Sequence, residues 1–259
     1  MSIIALITDL GSGNWFAGEL KGTILSLNAQ AVPVDLTHSV PMGGVREGAF
    51  ALMAGYRSFP EDTIFLSAVD YGSAKTRVIA AKTASYIFAA PDNGLLSWAL
   101  RREPSAEIRE VNTDEYLLPS GCETFPARDL LAPLCASLSD WLDFSDCGEI
   151  TPNYVKLEWP KTQAKKGEIS GSIVHIDKFG NAVTSITPRE LSDACEKGAV
   201  CVISGNDKIP AGSGYSDVQT GKAIAYPGSA GLMEIGVNNG NAAEALGINI
   251  GSVVIFKGR

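Results

Sequence analysis

Residues 3–13 read Ile3-Ile4-Ala5-Leu6-Ile7-Thr8-Asp9-Leu10-Gly11-Ser12-Gly13. A short unbroken apolar run, closed by polar residues and glycines, fits a strand buried on both faces and followed by a turn, as in parallel sheets. Residues 16–28 then place Leu20, Ile24 and Leu27 on one helical face. Strand, loop and helix in this order start an α/β fold. The rhythm recurs outward from here. Residues 32–36 predict a strand, 44–56 a helix, 63–69, 78–81 and 86–90 three more strands, and 129–142 a helix. Strands alternating with helices predict an N-terminal, mainly parallel sheet covered by helices.

Composition changes over residues 157–166, where Pro160, Gln163 and several lysines interrupt the apolar pattern as a linker does. Beyond Gly167 the apolar segments are short and separated by Gly, Pro, Asn and Asp. Residues 171–176, 199–204, 232–237 and 252–256 predict a smaller, antiparallel, barrel-like β domain. The expected division is therefore residues 1–157 and 167–259.

The chain has 259 residues and is 45% hydrophobic, ample for buried cores. Its formal charge is −8, from 29 acidic and 21 basic side chains, and no Lys/Arg run exceeds a pair such as Arg101-Arg102. Nucleic acid, which requires clustered cations, is not an expected partner. The five cysteines form no C-x-x-C, and His38 and His175 are the only histidines, so neither a disulfide framework nor a metal site is expected. The apolar start is short and lacks a basic leader, and no stretch approaches the ~20 apolar residues that span a bilayer. A cytoplasmic protein without a membrane partner is the expectation.

In open α/β sheets ligands lie beyond the carboxyl ends of the strands. There the sequence places Asp9, His38, Asp70 and Asp92-Asn93-Gly94. Asp9 could accept hydrogen bonds from vicinal ribose hydroxyls, although position alone favours a cap on the following helix. Asp70 and Arg77 flank the turn Tyr71-Gly72-Ser73-Ala74-Lys75-Thr76 and make either a water-orienting pair or a surface ion pair. His38 is a candidate base or a structural histidine, and His175 lies within an apolar strand. Gly11-Ser12-Gly13 lacks the rest of a phosphate loop. In the second domain, Asp177-Lys178-Phe179-Gly180-Asn181 offers an acid, an aromatic face and an amide, suited to an amino-acid head group and an adenine, or to a packed β-turn. Ser229, Asn238 and Asn239 admit both readings too.

Taken in order, Ile7-Thr8-Asp9-Leu10-Gly11, Gly18-Glu19-Leu20-Lys21-Gly22, Asp35-Leu36-Thr37-His38, Arg46-Glu47-Gly48-Ala49, Ala90-Pro91-Asp92-Asn93-Gly94-Leu95-Leu96 and His175-Ile176-Asp177-Lys178-Phe179-Gly180-Asn181 resemble the S-adenosylmethionine hydroxide adenosyltransferases, relatives of fluorinase and chlorinase. The similarity covers nearly the whole chain. It implies a hydrolase that forms adenosine and L-methionine from S-adenosylmethionine, with no cofactor and no metal. It also implies a homotrimer whose sites lie between one subunit's first domain and a neighbour's second. By position, Asp9 would bind the ribose, Asp177 and Asn181 the methionine head group, and Phe179 the pocket wall. Ser229 and the backbone near Asn239 would meet the adenine.

Family members that use water carry an Asp, an Arg and a His. Asp70 and Arg77 resemble the first two, although the intervening turn departs from the family's Pro-Gly-Val-Gly run. Where the family has Thr-Phe-His-Gly-Arg-Asp, this chain reads Thr124-Phe125-Pro126-Ala127-Arg128-Asp129. Proline cannot move a proton. Three outcomes follow: hydrolysis without the histidine, a halide nucleophile, or a protein that binds S-adenosylmethionine or adenosine without turnover. A carboxylate at Asp70 would repel a halide, which favours water.

Overall fold

In the computed structural model, residues 2–119, 122, 124–195, 199–203 and 207–258 are described. The chain divides into two compact units, residues 1–157 and 158–259. In the first, the elements are β1 (Ser2–Thr8), α1 (Phe16–Leu27), β2 (Ala31–Thr37), α2 (Val45–Gly55), β3 (Thr63–Ala68), β4 (Val78–Lys82), β5 (Tyr86–Pro91), α3 (Ser97–Leu100), β6 (Glu107–Val111), α4 (Ala132–Leu138) and β7 (Gly148–Ile150). The strands form one sheet in the order β2-β1-β3-β5-β4-β6-β7. β2, β1, β3 and β5 run parallel, and β4, β6 and β7 extend the sheet antiparallel.

The buried run Ile4 to Ile7 explains β1's central place. Ile4 and Leu6 enter a core with Leu20 and Ile24 of α1 and Leu134 of α4. Ala5 and Ile7 enter the opposite core with Leu52 of α2, Phe65 and Phe88. Alternation along one strand thus feeds two helical layers. One expectation is corrected here. The helix predicted over 129–142 begins earlier, as a π-helical turn at Ala127–Leu131, and ends at Leu138. The antiparallel strands β6 and β7 carried no clear periodicity in the sequence.

The second unit comprises β8 (Gln163–Lys165), β9 (Glu168–Ile176), β10 (Ala182–Thr184), α5 (Pro188–Ala194), β11 (Ala199–Ile203), β12 (Asp207–Pro210), β13 (Ala223–Pro227), β14 (Met233–Val237), α6 (Ala242–Leu246) and β15 (Val253–Gly258). Among the described residues its sheet runs β12-β11-β15-β9-β10-β14-β13, entirely antiparallel, with β8 also on β9. A bridge between Ala211 and Ala225 nearly closes it into a barrel. Ile169, Ile173, Ile235, Val254 and Phe256 fill the interior. Ser204, the last residue of one expected strand, lies outside the described residues. The expected linker is not wholly irregular: Gln163–Lys165 forms β8, and Leu157 packs close against Gly94.

Candidate active site

In the first unit, the loops after β1, β2 and β3 meet at Asp9. Its Oδ2 accepts the backbone N–H of Gly43 at 2.9 Å and of Asp70 at 3.1 Å. One carboxylate oxygen therefore ties three strand ends together, and the other accepts no hydrogen bond from the described residues. The capping alternative is excluded, because Trp15 occupies the cap position of α1 and no side chain bonds there. Asp9 also lines an open cavity of about 490 Å³ walled by Trp15, Phe16, Tyr71, Phe125 and Arg128. Phe16 meets Phe125 edge-on at 5.3 Å, and Trp15, 68% exposed, lies 5.0 Å from Phe16. Aromatic walls beside a carboxylate suit a nucleoside, which offers a π-face and hydroxyls.

His38 is structural. Its Nδ1 lies 2.7 Å from Thr8 Oγ1 and its Nε2 lies 3.0 Å from Asp35, which also pairs with Lys21 at 2.7 Å. With both ring nitrogens engaged and the ring 5% exposed, it locks β1 to β2 and is not placed to serve as a base. Burial raises the Asp35 carboxyl, but the bonds from Lys21 and His38 outweigh this and hold it below the usual carboxylate range.

Asp70 is exposed and adopts left-handed backbone, φ +54°. Among the described residues, Asp62, Asp70 and Asn239 are the non-glycine residues in that region, and two of these three are site candidates. Such strain tends to gather at functional positions. Asp70 does not pair with Arg77. The Arg77 guanidinium instead reaches Asp92 at 3.2 Å, Glu110 at 2.9 Å, Thr151 at 3.1 Å and the Asn153 carbonyl at 2.8 Å. Its expected role of fixing Asp70 is corrected: Arg77 staples β4 to the end of β5, to β6 and to residues 151–153. The reason is strand order, since antiparallel β4 lies between β5 and β6 and brings both carboxylates to Arg77.

Asp92-Asn93-Gly94 belongs to the same staple. Asp92 accepts the Val155 N–H at 2.8 Å, and the Asn93 amide donates to the Val69 carbonyl at 2.9 Å. Pro126, in the place of the family's histidine, is the residue before the π-helical turn Ala127–Leu131. Next to it, Arg128 grips Asp129 through two bonds of 2.6 and 2.8 Å and lies over the Phe125 ring.

In the second unit, Asp177, Phe179, Asn181, Ser229 and Asn239 all line one cavity of about 730 Å³. Asp177 organises its rim. Oδ1 accepts the N–H groups of Phe179 at 2.8 Å and Asn181 at 2.9 Å, and Oδ2 accepts the Asn181 amide at 2.8 Å. Gly180 makes this turn possible: its φ is +83°, and a Cβ there would strike Asn241. Phe179 stays 64% exposed. Asn238 lines the same cavity, its amide spent on the Val218 carbonyl at 2.8 Å.

Sequence reading overlooked Tyr215, Tyr226 and Glu234, which line this cavity, and Trp15, Phe16 and Phe125 in the first unit. Strict alternation in β14 was a usable signal. Met233 and Ile235 enter the core, so Glu234 must face the other way. Among the described residues, no three His, Cys, Asp or Glu side chains converge as a metal ligand set.

Two family models match the chain, the SAM hydroxide adenosyltransferase N-terminal domain over residues 4–148 and its C-terminal domain over 171–255. The (R)-S-adenosyl-L-methionine hydrolase of Thermus thermophilus is 30% identical, covering 98% of this chain and 99% of that protein. A fluorinase of Actinopolyspora mzabensis is 26% identical over 97% of this chain and 96% of its own length. The crystal structure of an uncharacterized conserved protein from Thermotoga maritima superposes with a TM-score of 0.90 at 30% identity, over 98% of this chain and 99% of that one. Both halves of the chain match in order, and the chain belongs to the SAM hydroxide adenosyltransferase family.

Proposed function

We propose that the protein hydrolyses S-adenosylmethionine to adenosine and L-methionine. The observation that carries this reading is the gathering of Asp177, Phe179, Asn181, Ser229 and Asn239 around a single cavity. A carboxylate, an amide and an exposed ring on one rim match an amino-acid head group beside an adenine. Relatives named (R)-S-adenosyl-L-methionine hydrolase support it.

In the first unit, the unused oxygen of Asp9 accepts the ribose hydroxyls, and the aromatic cavity beside it offers ring faces to the nucleoside. A water oxygen attacks the ribose 5′ carbon, the C–S bond breaks, and its electron pair passes to sulfur. The sulfonium leaves as a neutral thioether, so departure needs neither an acid nor a metal. The water's proton passes late to Asp70 or to solvent. Full prior deprotonation is out of reach, because a carboxylate is far too weak a base to ionise water. Positioning the water behind the carbon supplies the advantage instead. Arg77 supports the fold around this site and takes no part in the chemistry. On the family resemblance we further propose a cytoplasmic homotrimer, with each site completed by a neighbouring subunit.

The test is to incubate the purified protein with S-adenosylmethionine, with and without chloride, and to separate the nucleosides by chromatography with mass detection. Adenosine and methionine in equal amounts, independent of chloride, are expected. A 5′-chlorinated nucleoside would assign a halide nucleophile, and unchanged substrate with retained adenosine would make this a binding protein.

A further inference from the structure

The cavity of the second unit is rich in free hydrogen-bond acceptors, while most of its side-chain donors are already spent within the protein. Asn181 gives its amide to Asp177 Oδ2 at 2.8 Å, which fixes that amide, because a flipped Asn181 would set its oxygen against the carboxylate. Asn181 Oδ1 then receives the Tyr215 hydroxyl proton at 2.8 Å, so Tyr226, 2.6 Å from Tyr215, is the donor between the two phenols. The Asn238 amide is held by the Val218 carbonyl at 2.8 Å. Oδ1 of Asp177 accepts two N–H groups and Oδ2 only one, so Oδ2 keeps a lone pair for a ligand.

Glu234 adds a second carboxyl to this wall. Met233 and Ile235 enter the core, so strand alternation turns Glu234 to the cavity side, where it pairs with Tyr226 and Val183 across the sheet. It is 9% exposed and has no ion-pair partner among the described residues. A carboxylate buried this deeply calls for a counter-charge. Its place is built: the carboxyl rests against Gly228, where a Cβ would overlap it. Burial pushes the Glu234 carboxyl upward, the Tyr226 hydroxyl opposes this, and the Asp177 charge adds to it, so the two acids sense each other. Among the described residues, Asp177 and Glu234 are the charged side chains that line the cavity, and no Lys, Arg or His does. Lys178, next to Asp177 in sequence, is drawn onto the Phe179 ring, 4.8 Å from its centre.

We propose that this cavity holds a primary ammonium group between Asp177 and Glu234 and offers no counter-ion to a ligand carboxylate. The favoured substrates are then 5′-sulfonium adenosines whose side chain ends in an amine, above all those whose side chain carries no carboxyl group. The two carboxylates match the two positive charges of such a compound, sulfonium and ammonium. An amino-acid side chain brings a further negative charge towards a wall that already holds two. S-adenosylmethionine remains a substrate through its ammonium group, with its carboxylate turned to solvent. The nucleoside and its sulfonium rest on the function proposed above; the cavity's preference for an ammonium without a carboxylate does not.

The test compares S-adenosylmethionine with its decarboxylated analogue, S-adenosyl-3-methylthiopropylamine, by steady-state kinetics and by calorimetric binding to the purified protein. The analogue should have a kcat/KM about tenfold higher and bind correspondingly more tightly. Glu234→Gln removes one charge while keeping the shape, and should bring the ratio of the two substrates close to one, chiefly by raising KM for the analogue. A purely structural role for Glu234 would lower both substrates alike; an unchanged ratio in the variant therefore overturns the proposal, as does a wild-type ratio of one or less. Should the variant fail to fold, the ratio of the two wild-type binding constants decides alone. Tighter binding of the analogue without turnover of either compound would refute the proposed function and leave this inference standing. Turnover of S-adenosylmethionine without preference for the analogue would refute only the inference, and failure to bind either compound would refute both.

Discussion

The two cavities are built by opposite means. In the first unit, carboxylates at parallel strand ends are held by backbone N–H groups, with Asp9 alone tying Gly43 and Asp70. In the second, Asp177 is held partly by its own turn and partly by the Asn181 side chain, which in turn is bonded through Tyr215 to Tyr226. Backbone anchoring tolerates change in neighbouring side chains; a side-chain chain fails when any member is lost. The first cavity should therefore be sensitive only at residues that touch substrate, and the second also at residues that do not.

Asp70→Ala breaks or makes this contrast most sharply. It should lower kcat by about 100-fold, the scale of losing a proton acceptor, while calorimetric affinity for S-adenosylmethionine stays near wild type. A loss of affinity equal to the loss of rate would show that Asp70 binds substrate. Asp177→Asn should instead raise KM, by about 30-fold for a lost charge-assisted bond, with smaller change in kcat under saturating substrate.

Arg77→Ala should act on the fold. Its side chain is 35% exposed while its partner Asp92 is 4% exposed, and leaving that acid unpaired should cost about 1–2 kcal/mol, between exposed and buried pairs. Thermal unfolding should shift down, and kcat measured below that transition should stay within a few-fold of wild type. A large drop in kcat with unchanged Tm would restore a catalytic role for Arg77.

The smallest effect concerns pH. Burial raises the Asp129 carboxyl, but the Arg128 side-chain bond and the Cys122 N–H more than offset this and hold it below the usual range. A lowered pKa means that the pair's stabilisation is complete above the ordinary carboxylate range and is lost as pH falls through the folded value. Asp129→Asn should lower Tm at neutral pH and flatten its decline in acid; an unchanged acid limb would place that sensitivity elsewhere.

How far the sequence reached varies by residue. The run Ile3 to Ile7 announced a doubly buried strand, and its end placed Asp9 at a carboxyl terminus, as found. Asp177 to Asn181 read as either a turn or a binding rim; it forms a turn, and that turn lines a cavity. Arg77 was misread because its nearest acid in sequence, Asp70, is not its nearest in space. Tyr215 and Glu234 escaped notice because neither sits in a motif.

What the sequence determined by itself, then, is whatever local pattern encodes: apolar periods of two and 3.6, turn residues, and the loops at strand ends where ligand groups fall. What only the tertiary structure decided is which side chains meet. Arg77 finds Glu110 because β4 lies beside β6, and Tyr215 finds Asn181 across 34 residues of chain. Hydrogen bonds of this kind depend on strand order and register, which many distant contacts fix together and no short window of sequence contains.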